Sequence, residues 1–374
     1  MNILMALMGL DIGGAETHVA ELSKELKRRG HNVIIASNGG VYEKELADFG
    51  IKLYKVPLQN KKPNNILSSV SMLKRIIKDE NIDIVHSHAR IPSFLLGKIQ
   101  KSLKYPFVTT AHWVFSTKYG LKYITNWGQK TLAVSEDIKK YLMDNYKIPE
   151  NDITVTVNGI DTEKFAKSAP SEAVIKEFSI GSADKTIVYV SRMDSDRSLV
   201  AHQLIASVDA LFDVVEGLRC IIVGDGNDFD SVKAEADAVN AKRGKDIITL
   251  AGARTDINKI ISVCDLFVGV SRAALEAMAS EKPCIIAGNE GYIGLFDESK
   301  LDTALETNFC CRGCDKSETA VLTQDIANFF GMWEDDINQI SQFSRQVVSE
   351  HYSVSKMADD AEKVYKEAME ENKV

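Results

Sequence analysis

From residue 3 the chain alternates between short apolar runs and amphipathic helical runs, and near residue 170 the alternation starts again. The first cycle reads "NILMALM" as a strand, "AETHVAELSKELKRRG" as a helix closing on Gly30, and "NVIIAS" as a strand. It continues with "NILSSVSMLKRIIKDE" as helix, "DIVHSH" and "FVTTAH" as strands, and "QKTLAVSEDIKKYLMDNY" as strand then helix. In the second cycle "KTIVYVSRM", "RCIIVGDG", "IITLAG", "DLFVGVS" and "PCIIAG" are strands, spaced by helical runs such as "SLVAHQLIASVDALFDVV". Strands spaced by helices call for crossover connections, hence parallel sheets with helices on both faces. A length of 374 residues suits two cores better than one. The fold class is therefore α/β, with two Rossmann-like domains facing each other across a cleft. The expected divisions are residues 1–165, residues 166–350, and a last helix over 351–374 that packs back on the first domain.

No stretch reaches the roughly 18 apolar residues of a membrane span. The opening "MNILMALMGL" lacks a positive flank and reads as a strand, not a signal peptide, so a cytoplasmic protein is expected. The net charge of −8 hides a division. Residues 1–165 carry 23 Lys and Arg against 17 Asp and Glu, whereas residues 166–374 carry 22 against 36. Within 98–147 there are nine lysines and three acids, mixed with Trp113, Phe115 and Tyr119. This suits peripheral contact with an anionic membrane at its inner face, or equally a solvated surface over an ordinary core. No nucleic-acid partner is expected. Cys310, Cys311 and Cys314 form a lone Cys-x-x-Cys without a second pair, which reads as reduced thiols. Asp194–Ser195–Asp196 has a D-x-D shape but lies between two arginines. No metal is expected at either place.

Ligands of open parallel sheets sit beyond the strands' carboxyl ends, where helix N-termini point. After the first strand come Gly13 and Gly14, whose bare backbone can face an anion or simply make a tight turn. The spacing is not that of a dinucleotide fingerprint, which disfavours a nicotinamide-linked dehydrogenase. His86 and His88 end one strand and His112 ends another; each is a site candidate or a packing histidine. Arg192 and Arg197 follow "VSRMDSDR", where two guanidiniums suit a diphosphate or pair with Asp194 and Asp196. In "VGVSRAALEAMASEKP" a strand runs almost directly into a helix bearing Arg272 and Glu276. Arg272 can meet a phosphate or carboxylate, or pair with Glu276 one turn on.

The order "GGAETHVAEL", "HSH", "TAH", "AVSEDIKKYL", "VNGIDTEKF", "VSRM", "VGDG" and "LEAMASEKP" resembles the nucleotide-sugar-dependent glycosyltransferases of family 4, over residues 3 to about 290. The resemblance implies a GT-B fold and retaining transfer of a sugar from a nucleoside-diphosphate sugar, a UDP-sugar ahead of a GDP-sugar, with no further cofactor. It implies that Gly13 and Gly14 face the donor diphosphate, that Arg192 binds phosphate, and that Arg197 replaces the usual lysine. His112 would lie under the transferred sugar, His88 on the acceptor side, and Glu276 on the ribose hydroxyls as the second acid of an E-x7-E motif. Val268 stands where the first acid belongs, and Arg272 occupies a turn about four residues shorter than usual. The acceptor implied is a glycan, a lipid-linked sugar or a small molecule. Two rivals remain: another GT-B enzyme such as an epimerase or phosphorylase, and a family member that binds nucleotide with little turnover.

Overall fold

The structure is a computed structural model, and it describes residues 1–372. The chain divides into two compact units, Met1–Gly159 with Tyr352–Val374, and Ile160–His351. The first break thus falls at Gly159 instead of residue 165. Ile160 and Phe165 are both buried, and Arg345 Nη1 of the second unit donates to the Phe165 carbonyl at 3.4 Å.

The first unit is built on seven parallel strands: β1 (Asn2–Ala6), β2 (Asn32–Ser37), β3 (Lys52–Lys55), β4 (Ile84–Ser87), β5 (Phe107–Ala111), β6 (Lys130–Ala133) and β7 (Ile153–Val155). Their order across the sheet is β3-β2-β1-β4-β5-β6-β7. β1 pairs with β2 and β4, with Met5 opposite Ile35 and His86. Ile3, Leu4, Met5 and Ala6 are all fully buried because helices cover both faces. One face carries the Gly14–Arg28 helix and the Val354–Glu371 helix; the other carries the Pro63–Asp79 and Arg90–Leu103 helices.

The Val354–Glu371 helix shows why the chain returns. Met357, Ala361, Val364, Tyr365 and Ala368 repeat at helical spacing and are all buried. Ser353 caps its start, accepting from the Lys356 N–H at 3.3 Å. Charge fixes its rim: Arg29 Nη1 bonds Asp359 at 2.6 Å, and Lys130 bonds Glu371 at 2.7 Å.

The second unit holds β8 (Lys185–Val190), β9 (Leu218–Val223), β10 (Ile248–Gly252), β11 (Leu266–Gly269), β12 (Cys284–Gly288) and β13 (Gly291–Leu295). Their order is β10-β9-β8-β11-β12-β13. All neighbours are parallel except β13, which folds back antiparallel on β12. The Leu199–Leu211 and Thr319–Phe330 helices bury Val200, Leu204, Val208, Leu322 and Ile326 against one face of this sheet. Among the described residues, no helix is long and apolar enough to cross a membrane.

Candidate active site

In a doubly wound sheet the ligand crevice opens where the strand order reverses. In the first unit that point lies between β1 and β4, and the candidate residues follow these strands and β5. Gly13 is extended at φ −174° and precedes the Gly14–Arg28 helix, whose start has no side-chain cap. A Cβ on Gly14 would meet nothing within 4 Å, so the fold itself does not require glycine there. One turn into this helix is His18, fully buried, with Nδ1 3.0 Å from Asn158 Oδ1.

His18 meets the histidines that end β4 and β5. His88 Nδ1 lies 3.1 Å from His112 Nε2, and His88 Nε2 lies 3.4 Å from Met5 Sδ. His86 sits beneath, its nitrogens 2.7 Å from the Tyr365 and Thr110 hydroxyls. Its ring centroid is 4.1 Å from that of His88. Burial, reinforced by the neighbouring imidazoles, holds the pKa of His86, His88 and His112 well below the usual 6.5. All three are neutral at pH 7, so they donate and accept hydrogen bonds and bring no positive charge.

In the second unit the order reverses between β8 and β11. The loop after β8 carries Arg192 and Arg197, with side chains 60% and 42% exposed. Each guanidinium Nε is 3.9 Å from a carboxylate oxygen, of Asp194 and Asp196 respectively. Contacts that long and exposed are weak, so both arginines can engage another anion. The backbone of this loop is held firmly: Met193 donates to the Asp225 carbonyl at 3.0 Å, and Asp228 donates to the Met193 carbonyl at 2.8 Å. Gly224 and Gly226 allow the approach. A Cβ at Gly224, whose φ is 142°, would stand 1.8 Å from the Ser191 oxygen, and one at Gly226 2.3 Å from the Met193 carbonyl carbon.

β11 runs into the Ser271–Ala279 helix through Val270 alone. Arg272 Nε donates to Glu276 Oε1 at 2.9 Å, so the one-turn pair is the arrangement seen. Val268 lies inside β11 and is fully buried. No side chain from that position can reach a ligand.

A model of Glycosyltransferase Family 4 matches residues 12–164, and a model of Glycosyl transferases group 1 matches residues 184–306. N-acetyl-alpha-D-glucosaminyl L-malate synthase of Bacillus anthracis is 22% identical over 384 residues, covering 97% of this chain and 96% of that protein. A glycosyltransferase structure from Rickettsia africae superposes with a TM-score of 0.78 at 25% identity, covering 98% of each chain. Anabaena HepE, solved with UDP and glucose, superposes at 0.74 with 17% identity, covering 98% of this chain and 100% of its own. The chain is a glycosyltransferase of the family 4 type.

This glycosyltransferase has the GT-B fold. Several residues around the candidate site escape a reading of the sequence. His18 is visible as the residue four after Gly14, one helical turn on, but a lone histidine in a helix carries no signal by itself. Ser271, at φ 55°, absorbs the shortened turn in a backbone conformation that favours glycine. Its N–H donates to the Phe309 carbonyl at 2.7 Å, on the edge of the loop that holds Cys310 and Cys311. That loop buttresses the turn. Among the described residues, its cysteines join no group of three metal-ligating side chains.

His202 of the glycosyltransferase steadies the arginine loop from behind, with Nε2 2.9 Å from Asp228 and Nδ1 2.8 Å from Glu235. Burial disfavours its charge, but the hydrogen bonds to the two carboxylates outweigh this and raise its pKa above 6.5. A raised folded-state pKa contributes stability below about pH 6.5 that is lost as pH rises through the folded value. The thermal midpoint of the native enzyme should therefore exceed that of His202→Gln by more at pH 6 than at pH 9. Melting curves of both proteins across that range check this; a gap that widens with pH contradicts it.

Proposed function

We propose that the enzyme transfers a sugar, with retained anomeric configuration, from a UDP-sugar to a glycan or lipid-linked acceptor. The observation that carries this is positional. Arg192, Arg197 and Glu276 all follow the two strands that flank the order reversal of the second sheet, where a doubly wound fold takes its nucleotide. Breaking the glycosidic bond leaves negative charge on the diphosphate. Arg192 and Arg197, always protonated, stabilise it, and the amides at Gly13–Gly14 add helix N-terminal donors. With guanidiniums in this role the leaving group needs no metal ion. Glu276 offers carboxylate oxygens to the ribose diol, and His112 lies under the transferred sugar with His88 behind it on the acceptor side. UDP is favoured as the nucleotide by the likeness to HepE, which was solved with UDP and with UDP-glucose.

The acceptor side is the basic first unit. Trp113, Tyr119 and Tyr123 are 55%, 97% and 88% exposed beside Lys118 and Lys122. Aromatic rings interleaved with lysines suit the interface of an anionic membrane, and with it a lipid-linked acceptor and a place at the cytoplasmic face. Sedimentation with anionic vesicles at low salt tests this part, and a protein left in the supernatant removes it.

A second reading, nucleotide binding with little transfer, is favoured by one observation: the buried Val268 leaves the donor sugar without its customary acid. A panel of UDP-, GDP- and ADP-sugars, scored by melting point and by released nucleotide, separates the two. Transfer predicts that UDP raises the melting point and that one UDP-sugar gives product; stabilisation by UDP without turnover on any acceptor selects the second reading. In either case Glu276→Ala is expected to weaken UDP binding roughly 10- to 100-fold, the size of lost hydrogen bonds to a charged group. Isothermal titration measures it, and unchanged affinity would take Glu276 out of the site.

A further inference from the structure

On the transfer reading above, we infer that Arg90 binds the acceptor, and that the acceptor presents it with a phosphate or carboxylate group. Every other arginine of the chain has a carboxylate oxygen within 3.9 Å of a guanidinium nitrogen. Arg90, half-buried, has none among the described residues. Its Nη2 donates to the Ser116 carbonyl at 2.9 Å and to the Tyr146 hydroxyl at 3.3 Å, and its Nε is buried without a partner. Both acceptors are neutral, so the charge stays uncompensated, which costs free energy until an anion arrives. Arg90 also opens the Arg90–Leu103 helix, whose N-cap Ala89 brings no side-chain cap and whose first turn holds no acid. A cation at that end is opposed by the helix dipole, so the helix does not account for it.

The place suits an acceptor. Arg90 follows His88 at the carboxyl end of β4, and its partners Phe115 and Ser116 follow His112 at the carboxyl end of β5. The guanidinium carbon lies 4.9 Å from the centroid of the Phe115 ring. Phe115 stacks on Trp127 with centroids 5.4 Å apart, and Trp127 meets Tyr146 edge-on at 5.0 Å. The Tyr141 and Tyr146 hydroxyls donate to the Phe115 carbonyl at 2.8 and 3.0 Å. This aromatic platform holds the guanidinium in one plane before any ligand arrives, which lowers the ordering cost of binding. With Nη2 committed to the loop, Nη1 is left to meet an incoming oxygen. A planar fork held in this way suits the oxygens of a phosphate or carboxylate.

The probes are glycerol 3-phosphate, glycerate and glycerol in solution, and phosphatidylcholine vesicles with and without polyprenyl phosphate. Each is added to protein saturated with UDP, so that Arg192 and Arg197 are already engaged. If the anion belongs to a soluble acceptor, the native protein binds glycerol 3-phosphate or glycerate and not glycerol. If it belongs to a lipid, only the vesicles with polyprenyl phosphate are bound. Arg90→Gln should weaken binding of that probe roughly 10- to 100-fold, the size of a lost charge-assisted hydrogen bond. Arg90→Lys should recover part of the loss, and both variants should keep native UDP affinity and circular dichroism. Should Arg90→Gln fail to fold, Phe115→Leu, which keeps the charge and loosens its plane, should still weaken binding several-fold. Three results would each overturn the inference: no anionic probe bound, glycerol bound as well as the anions, or anions bound equally by the native protein and the folded variants. A failure of the transfer reading looks different, since no UDP-sugar would then be turned over whatever residue 90 is.

Discussion

Arg192→Ala is expected to lower kcat roughly 100- to 1,000-fold, the size seen when one donor to a developing oxyanion is removed. Nucleotide affinity should change by no more than a few-fold. The difference follows from when the charge appears: a guanidinium aimed at the bridging oxygen gains most as the bond to the sugar breaks. The present geometry permits that role, because the nearest carboxylate to Arg192 is 3.9 Å away and the side chain is largely exposed. Initial rates at saturating donor, with UDP binding measured in parallel, check the split. Equal small changes in both would place Arg192 outside the reaction.

Gly224→Ala should cost about 3 kcal/mol or more, since a β-carbon 1.8 Å from the Ser191 oxygen and a left-handed φ of 142° act together. The loop holding both arginines would have to move or the second unit would lose stability. Gly14→Ala is the informative contrast. Nothing lies within 4 Å of its added methyl, and alanine suits a helix better than glycine, so stability should hold or rise by up to about 1 kcal/mol. Sugar transfer should nevertheless fall, because that space is where a diphosphate would approach the backbone. Melting curves and turnover of both variants give the four numbers. A Gly14→Ala enzyme with full activity would mean the glycine serves only the turn.

The strands with continuous apolar runs were legible because burial on both faces leaves no other composition available to β1, β8 or β11. β3, β7 and β13 were not. Lys52–Lys55 alternates at the sheet edge, Ile153–Val155 is three residues long, and Gly291–Leu295 opens and breaks on glycines. The helices over Arg90–Leu103 and Glu334–His351 are equally hard to read, the former because Pro92 and its lysines mask the apolar stripe. For the site, residues just past a strand announce themselves by position, as Arg192, His88 and His112 do. His86 is marked in the same way, but its partner Tyr365, 279 residues away along the chain, is not, and His18 carries no such mark because it lies inside a helix. The Arg272–Glu276 pair could be drawn from spacing alone, whereas the positive φ of Ser271 could not.

Tyr365 lies on a segment that the ribosome makes only after the whole second unit, yet it closes the first unit's hydrogen bond beneath its histidines. Vectorial synthesis therefore finishes the second unit while the first still lacks its supporting helix. The half that begins translation is the half that is completed last, and until then the layer beneath its histidines stands open to chaperones and proteases.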